Sequence, residues 1–200
     1  MSSGYAIPIE DGSLYYDPHF LGGAEASSLR ERLINSVPWK QEPIVIFGKS
    51  VMQPRLTAWY GDPDTAYSYS GIVMEPLPWP DYLLEIKSQI EKTADDKFNS
   101  VLLNYYRDGQ DSMGWHSDNE PELGTNPVIA SLSLGGTRRF HLKHRQRKAL
   151  ETIRIDLGDG SLLVMGGALQ HHWLHQISKT KKQVAGRINL TFRWVYGGNK

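Results

Sequence analysis

The sequence predicts a mainly β fold with flanking helices (α+β), arranged as a double sheet or jelly roll. Helical periodicity is confined to two segments before Lys97. After Lys97, eight short β-like runs follow one another with Gly, Asp and Asn between them. Short strands separated by turn residues are typical of sandwiches and jelly rolls. The length of 200 residues, with 40% of them hydrophobic, suits one domain with a substantial core.

The N-terminal half is predicted to carry the helices. Residues 1–23 mix Gly, Pro, Asp and Tyr without a period, which indicates an irregular lead-in. Apolar residues recur at helical spacing from Ala24 to Asn35, and a second helix is expected from about Asp81. Between them, an apolar run that breaks at Gly48 and a further run after Pro54 predict a hairpin.

The C-terminal half is predicted to form strands throughout. No repeat, low-complexity segment or linker divides the chain. Two basic loops interrupt the pattern, one at 145–148 and one at 179–182, and each by itself is best interpreted as a solvated turn. The predicted strands are FNSVLLNYY, MGWHSD, PVIASLSLG, RRFHLK, LETIRIDLG, SLLVMG, HHWLHQI and RINLTFRWV.

Charge and cysteine content limit the classes of function. Lys plus Arg and Asp plus Glu both number 22, so the formal charge is zero and any nucleic-acid surface must be local. The chain has no cysteine, so a metal site would have to use His and carboxylate ligands. No apolar run is long enough to span a bilayer, and the first residues lack a signal-peptide pattern. We therefore expect a soluble intracellular monomer without a membrane partner, cytoplasmic in a bacterium or nuclear in a eukaryote.

Two polar pairs with the same spacing lie between residues 104 and 118. Asn104 and Tyr106 form the first pair, and His116 and Asp118 form the second. Residues two apart on an extended strand project from one face, so each pair can point into one cavity. An imidazole and a carboxylate, joined by a second histidine, make the facial triad that holds non-haem Fe(II) and leaves positions free.

The last predicted strand alternates cleanly. Ile188, Leu190 and Phe192 face one way and belong to the core, while polar residues that include Arg187 and Arg193 face the other way. For an arbitrary strand, such a polar face is more often exposed to solvent. Beside an Fe(II) triad, however, two guanidinium groups suit the capture of a dicarboxylate, which indicates 2-oxoglutarate as a co-substrate.

The third metal ligand is not decided by periodicity. His175 is predicted to share a strand face with His171, so the pattern does not separate these two histidines. The histidines that are better interpreted as surface groups or satisfied core groups are His19, His141, His144, His171 and His172.

Blocks of the sequence from about Pro43 to Trp194 resemble the AlkB-type Fe(II)/2-oxoglutarate dioxygenases, and are most similar to the branch that repairs double-stranded DNA. A His-x-Asp pair alone would be weak support, but the blocks occur in the family's order. The matching blocks are QPRLTAWYGD, YSYSG, FNSVLLNYYRDG, WHSDNE, IASLSLG, GSLLVMGG and RINLTFR.

The resemblance assigns roles to the polar residues. It implies that His116, Asp118 and His175 bind iron, with His175 chosen because its separation from Arg187 fits the family pattern. The positions that match the family's 2-oxoglutarate site are Asn104, Tyr106, Arg187, Asn189 and Arg193.

The resemblance also implies a base pocket. Tyr67 and Tyr69 match positions that contact an extruded base, and ordinary core packing is the alternative. Glu120 matches an acidic position near the Watson-Crick edge of the damaged base. Phe47 matches an apolar wedge that fills the gap left by a flipped base, with a buried hairpin phenylalanine as the alternative, and Arg55 matches a second residue near that gap.

The implied fold is a double-stranded β-helix, a form of jelly roll. We expect one catalytic domain over 1–200, with an N-terminal extension and nucleotide-recognition lid over about 1–97 and the core over about 98–196. Asn119 stands where the double-strand branch often has an acidic residue, which affects base preference and leaves the iron ligands unchanged.

The implied activity is oxidative demethylation of N1-methyladenine and N3-methylcytosine in DNA, expected to be double-stranded, with Fe(II), 2-oxoglutarate and O2. The products are formaldehyde, succinate and CO2. Alternatives are the same chemistry on single-stranded DNA, RNA or protein, or a non-catalytic nucleic-acid-binding module.

Overall fold

The computed structural model describes residues 3–46, 48–65, 67–69 and 72–197. Three α-helices occur among them: α1 (Gly23–Ser36), α2 (Asp81–Ala94) and the one-turn α3 (Leu169–His172). Among the described residues, no helix has the length and apolar character needed to cross a membrane.

Strands make up most of the described chain. Each is short, between three and seven residues, as expected for a fold built from many turns. They are β1 (Tyr5–Ile7), β2 (Ser13–Asp17), β3 (Pro43–Ile46), β4 (Lys49–Met52), β5 (Leu56–Gly61), β6 (Tyr67–Tyr69), β7 (Ile72–Met74), β8 (Ser100–Tyr106), β9 (Met113–His116), β10 (Ile129–Gly135), β11 (Arg138–His144), β12 (Ile153–Leu157), β13 (Ser161–Gly166), β14 (Trp173–Ile177) and β15 (Arg187–Arg193).

Two antiparallel sheets build the body of the molecule. The large sheet has seven strands in the order β1-β2-β13-β10-β15-β8-β5, and the small sheet has four in the order β12-β11-β14-β9. Neighbours in the order are rarely neighbours in sequence, so the chain crosses repeatedly between the sheets. This is the jelly-roll arrangement that the sequence predicts.

The large sheet has a core on each of its faces. On one face, α1 and α2 bury Leu29, Leu33, Leu83 and Ile90 against the sheet. On the other face, the small sheet supplies apolar side chains such as Phe140 and Leu142. Each buried side chain of this size contributes roughly 1.5–3 kcal/mol. The polar pocket described below lies between the two sheets, so both faces of β15 and β8 are buried.

The predicted helices and all eight C-terminal strands are confirmed. The irregular lead-in is wrong, because β1 and β2 join the edge of the large sheet through pairing of β2 with β13. The strand HHWLHQI is shorter than predicted. His171 lies in α3 and β14 begins at Trp173, so His171 does not share a strand face with His175.

Two hairpins stand outside the main sheets. The β3–β4 pair and the β6–β7 pair each form a separate two-stranded sheet. They precede and follow β5, the edge strand of the large sheet, so each is attached to one end of that strand. A hairpin does turn at Gly48, which has the positive φ of 75° that the turn requires, but its second strand is β4. The run after Pro54, predicted as the second strand, is β5 and pairs with β8 in the large sheet.

Candidate metal and dicarboxylate site

Three potential metal ligands meet at one end of the pocket between the sheets. His116 ends β9, and its direct partner across the strand pair is His175 of β14, with the ring centroids 4.2 Å apart. Asp118 Oδ1 lies 3.8 Å from His116 Nε2. One candidate ligand atom from each of the three residues lies within 4.8 Å of the others, as binding of a single ion requires. Strand pairing therefore selects His175, which periodicity did not separate from His171.

Both histidines are held neutral. His116 Nδ1 lies 2.9 Å from the Gly114 carbonyl oxygen, so this nitrogen carries the proton and Nε2 keeps its lone pair towards Asp118. Burial lowers the pKa of His116. Burial, together with the neighbouring His116, lowers the pKa of His175 to about 3. Only neutral imidazole binds a metal, so the site is ready for one at neutral pH.

Asp118 supplies a carboxylate from a loop and not from a strand. The predicted strand MGWHSD ends at His116, so strand alternation does not orient Asp118. Its backbone amide instead donates to Oε1 of the fully buried Gln170 at 3.0 Å. Burial alone would raise the pKa of Asp118, but Arg193, whose Nη2 is 3.3 Å from Oδ2, acts with His175 and His116 to outweigh burial, and the pKa is lowered. The group is therefore ionised at neutral pH.

A second cluster of potential ligands, Asp11, His144 and His172, is unlike the first. His144 Nδ1 accepts hydrogen bonds from the backbone amides of Gln146 and Arg147, so Nε2 carries the proton and donates to Asp11 at 3.2 Å. The Arg147 guanidinium also lies 3.6 Å from Asp11. Neither nitrogen of His144 therefore has a free lone pair for a metal, and the Arg147 cation already lies beside Asp11, so this cluster is a hydrogen-bonded group of the fold.

Arg187 lies towards the other end of the pocket, on β15. Arg187 is 1% exposed, and its Nη2 donates to Ser133 Oγ at 2.8 Å. Its Nε and Nη1 are buried and have no hydrogen-bond partner among the described residues. Burial lowers the pKa of Arg187 to about 10, so it remains protonated at neutral pH. A buried cation with two unused donors fits the carboxylate of an absent ligand.

Other polar residues of the pocket are positioned by hydrogen bonds. Asn104 on β8 accepts a hydrogen bond from Arg55 Nε at 2.8 Å. Asn189 on β15 donates to Ser131 Oγ at 2.8 Å and accepts from Thr191 at 3.0 Å. The polar face of β15 is therefore buried, and the solvent-exposed alternative is wrong. The residues lining the pocket include Asn104, Tyr106, His116, Asp118, Ser131, His175, Arg187, Asn189, Thr191 and Arg193.

The residues implied for the base pocket are placed as follows. Glu120 follows Asp118 in the same loop, and burial raises the pKa of its carboxyl group. Its Oε2 is buried without a hydrogen-bond partner among the described residues. Tyr67 and Tyr69 lie in β6, and only their backbone is described. Phe47 lies outside the described residues.

Arg55 lies with the pocket residues. It is 6% exposed, its Nε donates a hydrogen bond to Asn104, and its Nη1 donates to the Ser112 carbonyl oxygen at 3.4 Å. The structure therefore brings Arg55 together with the dicarboxylate side of the pocket.

Sequence reasoning missed three buried residues that support the site. Ser131 and Ser133 are on β10, and their alternation in IASLSLG was a signal that could have identified them. Gln170 carries no such signal, because the hydrogen bond that joins it to the metal loop links residues 52 positions apart.

A family model described as the 2OG-Fe(II) oxygenase superfamily matches residues 13–193. The chain belongs to this superfamily. Membership implies Fe(II), 2-oxoglutarate and O2, and the group of His116, Asp118 and His175 fits iron.

Curated relatives place the chain among the AlkB-type dioxygenases. It is 46% identical over 187 residues to alpha-ketoglutarate-dependent dioxygenase alkB homolog 3 of Bos taurus, covering 90% of this chain and 65% of the relative. It is 36% identical over 183 residues to human DNA oxidative demethylase ALKBH2, covering 87% of this chain and 70% of the relative. The chain thus spans just under two thirds of the length of the alkB homolog 3 proteins.

Solved structures support the fold. OsALKBH1 superposes with a TM-score of 0.66 at 19% identity, over 95% of this chain and 100% of that one. A prolyl hydroxylase from Trichoplax adhaerens superposes with a TM-score of 0.61 at 13% identity, over 92% of this chain and 84% of that one. At such identities the likeness establishes the jelly-roll fold alone.

Proposed function

We propose that this protein is an oxidative demethylase that repairs N-alkylated bases in DNA, with N1-methyladenine and N3-methylcytosine as substrates. Support comes from the relatives, which include proteins named DNA oxidative demethylase. The products are the repaired base, formaldehyde, succinate and CO2.

One observation carries the proposal. The pocket combines neutral imidazoles and an ionised carboxylate at one end with the buried, incompletely paired Arg187 guanidinium towards the other. A metal site alone would not need a buried arginine, and an anion site alone would not need the triad. Together they suit a metal that is shared with a dicarboxylate.

The roles of the pocket residues follow from their positions. His116, Asp118 and His175 hold the iron, and Arg187 receives the distal carboxylate of 2-oxoglutarate beside the Tyr106 ring, whose centroid is 5.3 Å from the guanidinium carbon. The polar groups that position the rest of the co-substrate are Asn104, Asn189 and Arg193, with Arg193 at the iron end.

When bound, the metal, 2-oxoglutarate and O2 would supply hydroxylation of the methyl C–H bond, with one oxygen atom going to the methyl group and the other to succinate as CO2 is lost. The resulting N-hydroxymethyl group then releases formaldehyde and leaves the base nitrogen demethylated. The share of the protein in this reaction is orientation and exclusion of water.

Glu120 is proposed to contact the damaged base. Its raised pKa favours the protonated carboxyl group, which can both donate and accept a hydrogen bond at the Watson-Crick edge. Tyr67 and Tyr69 are proposed to stack on or hydrogen-bond to the same base. They lie on β6, which follows the C-terminal end of β5. At that end Gly61 pairs with Ser100 of β8, and Ser100 also pairs with Arg193, at the iron end of β15.

The two hairpins are proposed to form the lid of an N-terminal extension over about residues 1–97. They are attached at both ends of β5, on one edge of the large sheet. Double-stranded DNA is the proposed form of the substrate. In support, Val51 and Met52 on β4 are 41% and 54% exposed, so the first hairpin presents apolar side chains to solvent. Phe47, which lies between β3 and β4 in the sequence, is proposed as the inserted wedge.

The test is turnover of an oligonucleotide with one N1-methyladenine, in single-stranded and duplex form. With Fe(II) and 2-oxoglutarate, both demethylated base and formaldehyde should appear in equal amounts. Asp118→Ala should abolish both. Intact metal binding without turnover of either form would contradict the proposal.

Strand preference has its own control. Phe47→Ala should reduce turnover of duplex DNA and leave turnover of the single strand nearly unchanged. An equal loss on both forms would show that Phe47 supports the fold and is not a wedge.

A further inference from the structure

Trp115 faces outwards because it directly precedes His116 on β9, and His116 faces the pocket. Met113 and His116 both line the pocket although they are three residues apart, because the pairing with β14 shifts register between His175 and Ile177. This bulge brings Met113 to the pocket side and leaves Trp115 on the outer face of the small sheet, where 36% of its surface is exposed. None of the roles proposed above uses this side chain.

Basic side chains lie on the same face of the small sheet as Trp115. On β11, Lys143 Nζ lies 4.2 Å from the centroid of the Trp115 ring, and the His141 ring lies edge-on to it with the two centroids 6.5 Å apart. Arg145 directly follows β11, and Arg154 on β12 is the strand partner of His141 and so faces the same way. We call Trp115, His141, Lys143, Arg145 and Arg154 the Trp115 face.

The Trp115 face carries a positive charge that nearby acids do not neutralise. Asp156 is the acidic residue at an outward position of β12, and it is paired with Arg139 at 2.7 Å. Within the described part of the chain, Lys143, Arg145 and Arg154 form no ion pair with a carboxylate. Burial, followed by Arg154 and Arg139, lowers the pKa of His141, which is consistent with a local excess of cations. Because the chain as a whole has zero net charge, this excess is a local feature.

The Trp115 face is continuous with the metal site. Trp115 is the residue before His116, and the Arg145 guanidinium donates to the hydroxyl group of Ser117, which stands between the ligands His116 and Asp118. The Trp115 face therefore adjoins the loop that carries the metal ligands.

We propose that the Trp115 face binds the substrate strand next to the damaged nucleotide, with a neighbouring base stacked on Trp115 and its phosphates paired with Lys143 and Arg145. This inference rests on the proposed function. An indole and nearby cations suit a chain of bases and phosphates, since aromatic stacking accepts any base and cations neutralise the backbone. A protein partner would require more apolar area. Trp115 is the one large exposed hydrophobic residue on the strands of this sheet among the residues described.

The test uses Trp115→Ala, Trp115→Phe and Lys143→Gln, with Lys92→Gln on the exposed surface of α2 as the matched control. The dissociation constant of a methylated single-stranded 15-mer is measured by fluorescence anisotropy over a series of salt concentrations. Formaldehyde release from a methylated mononucleotide is measured in parallel, because this substrate has no neighbouring base.

Trp115→Ala should weaken 15-mer binding about tenfold or more, and Trp115→Phe should restore part of the loss. Lys143→Gln should reduce the slope of log affinity against log salt by about one, and Lys92→Gln should change neither quantity. Turnover of the mononucleotide should stay at the wild-type rate in all four variants.

Two other outcomes separate the inference from the function on which it rests. If the wild-type protein turns over the 15-mer but Trp115→Ala and Lys143→Gln both bind it with the wild-type dissociation constant, the inference alone is overturned. The Trp115 face would then bind a partner of another kind. A wild-type protein that neither binds nor demethylates the 15-mer or the mononucleotide would overturn both.

Discussion

Gln170 offers the sharpest test of how the metal site is built. Replacing it with methionine keeps the length of the side chain and its fit to a fully buried position, and removes the oxygen that accepts the Asp118 amide at 3.0 Å. The other hydrogen bond of Gln170 is a long contact of 3.8 Å from Nε2 to Met165 Sδ. Gln170→Met therefore removes essentially one interaction.

The magnitude follows from the burial of that amide. A buried N–H group left without an acceptor costs about 1–3 kcal/mol. This amide is that of Asp118 itself, so its loss of an acceptor should also shift the Asp118 carboxylate away from the position that binds the metal. Loss of an outer hydrogen bond to a metal ligand commonly weakens metal binding about 10- to 100-fold. We expect Gln170→Met to fall within that range.

The assay is calorimetric titration of the metal-free protein with Co(II), which requires no turnover. Gln170→Glu keeps an oxygen acceptor at the same distance along the side chain and should retain more of the affinity than Gln170→Met. Thermal unfolding of each metal-free variant checks that the protein is folded. A folded Gln170→Met protein with wild-type Co(II) affinity would refute the role assigned to this hydrogen bond.

Three further changes test other parts of the structure. Arg187→Met should weaken 2-oxoglutarate binding about 100-fold or more in a ligand titration, because the guanidinium that receives the carboxylate is lost. The same change should raise the midpoint temperature of unfolding of the ligand-free protein, because it removes a buried cation with unused hydrogen-bond donors. Burial alone would raise the pKa of Asp111, but hydrogen bonds from Arg107 hold it below its usual value. The stabilisation from Asp111 is therefore complete above the unfolded pKa of about 3.9 and is lost as the pH falls through the lower folded pKa. Asp111→Asn should accordingly cost about 1–3 kcal/mol at pH 7, and its difference from wild type should shrink below about pH 4 in urea titrations. Gly135→Ala should lower the free energy of unfolding by about 1–3 kcal/mol, since Gly135 has a φ of 84° and an added Cβ would lie 2.4 Å from the Gly186 carbonyl oxygen. An unchanged denaturation midpoint would contradict this.

The sequence predicts the parts of the site that lie on regular strands. Alternation along β15 separates Arg187 and Arg193 from the apolar residues that pack under α1 and α2, and the structure buries both sets on opposite faces. The same period places Ser131 and Ser133 opposite β15, where they bond to Asn189 and Arg187. A period of two is a local property, so local sequence was sufficient to predict the face of Arg187 and Arg193. It also held the signal for Ser131 and Ser133, which were not predicted.

Features that depend on distant pairing could not be predicted. Asp118 lies beyond the end of β9, and its orientation depends on Gln170 in a helix of one turn. The segment from Tyr5 to Asp17 has no strong pattern and becomes two strands because β13 offers an edge. In each case the conformation depends on a residue or strand that is far away in sequence, so the local pattern of residues does not predict it.

The burial of Arg187 has a consequence for the sequence of events in turnover. Arg187 is six residues from Arg193 along β15, and it is 1% exposed, whereas the side chain of His116 at the metal end is 27% exposed. A dicarboxylate must therefore enter past the metal ligands to reach Arg187. A base seated at Glu120, two residues after Asp118, would close that entrance. Under the proposed function, the protein should accordingly bind its co-substrate before DNA, and succinate should leave only after the repaired base has withdrawn.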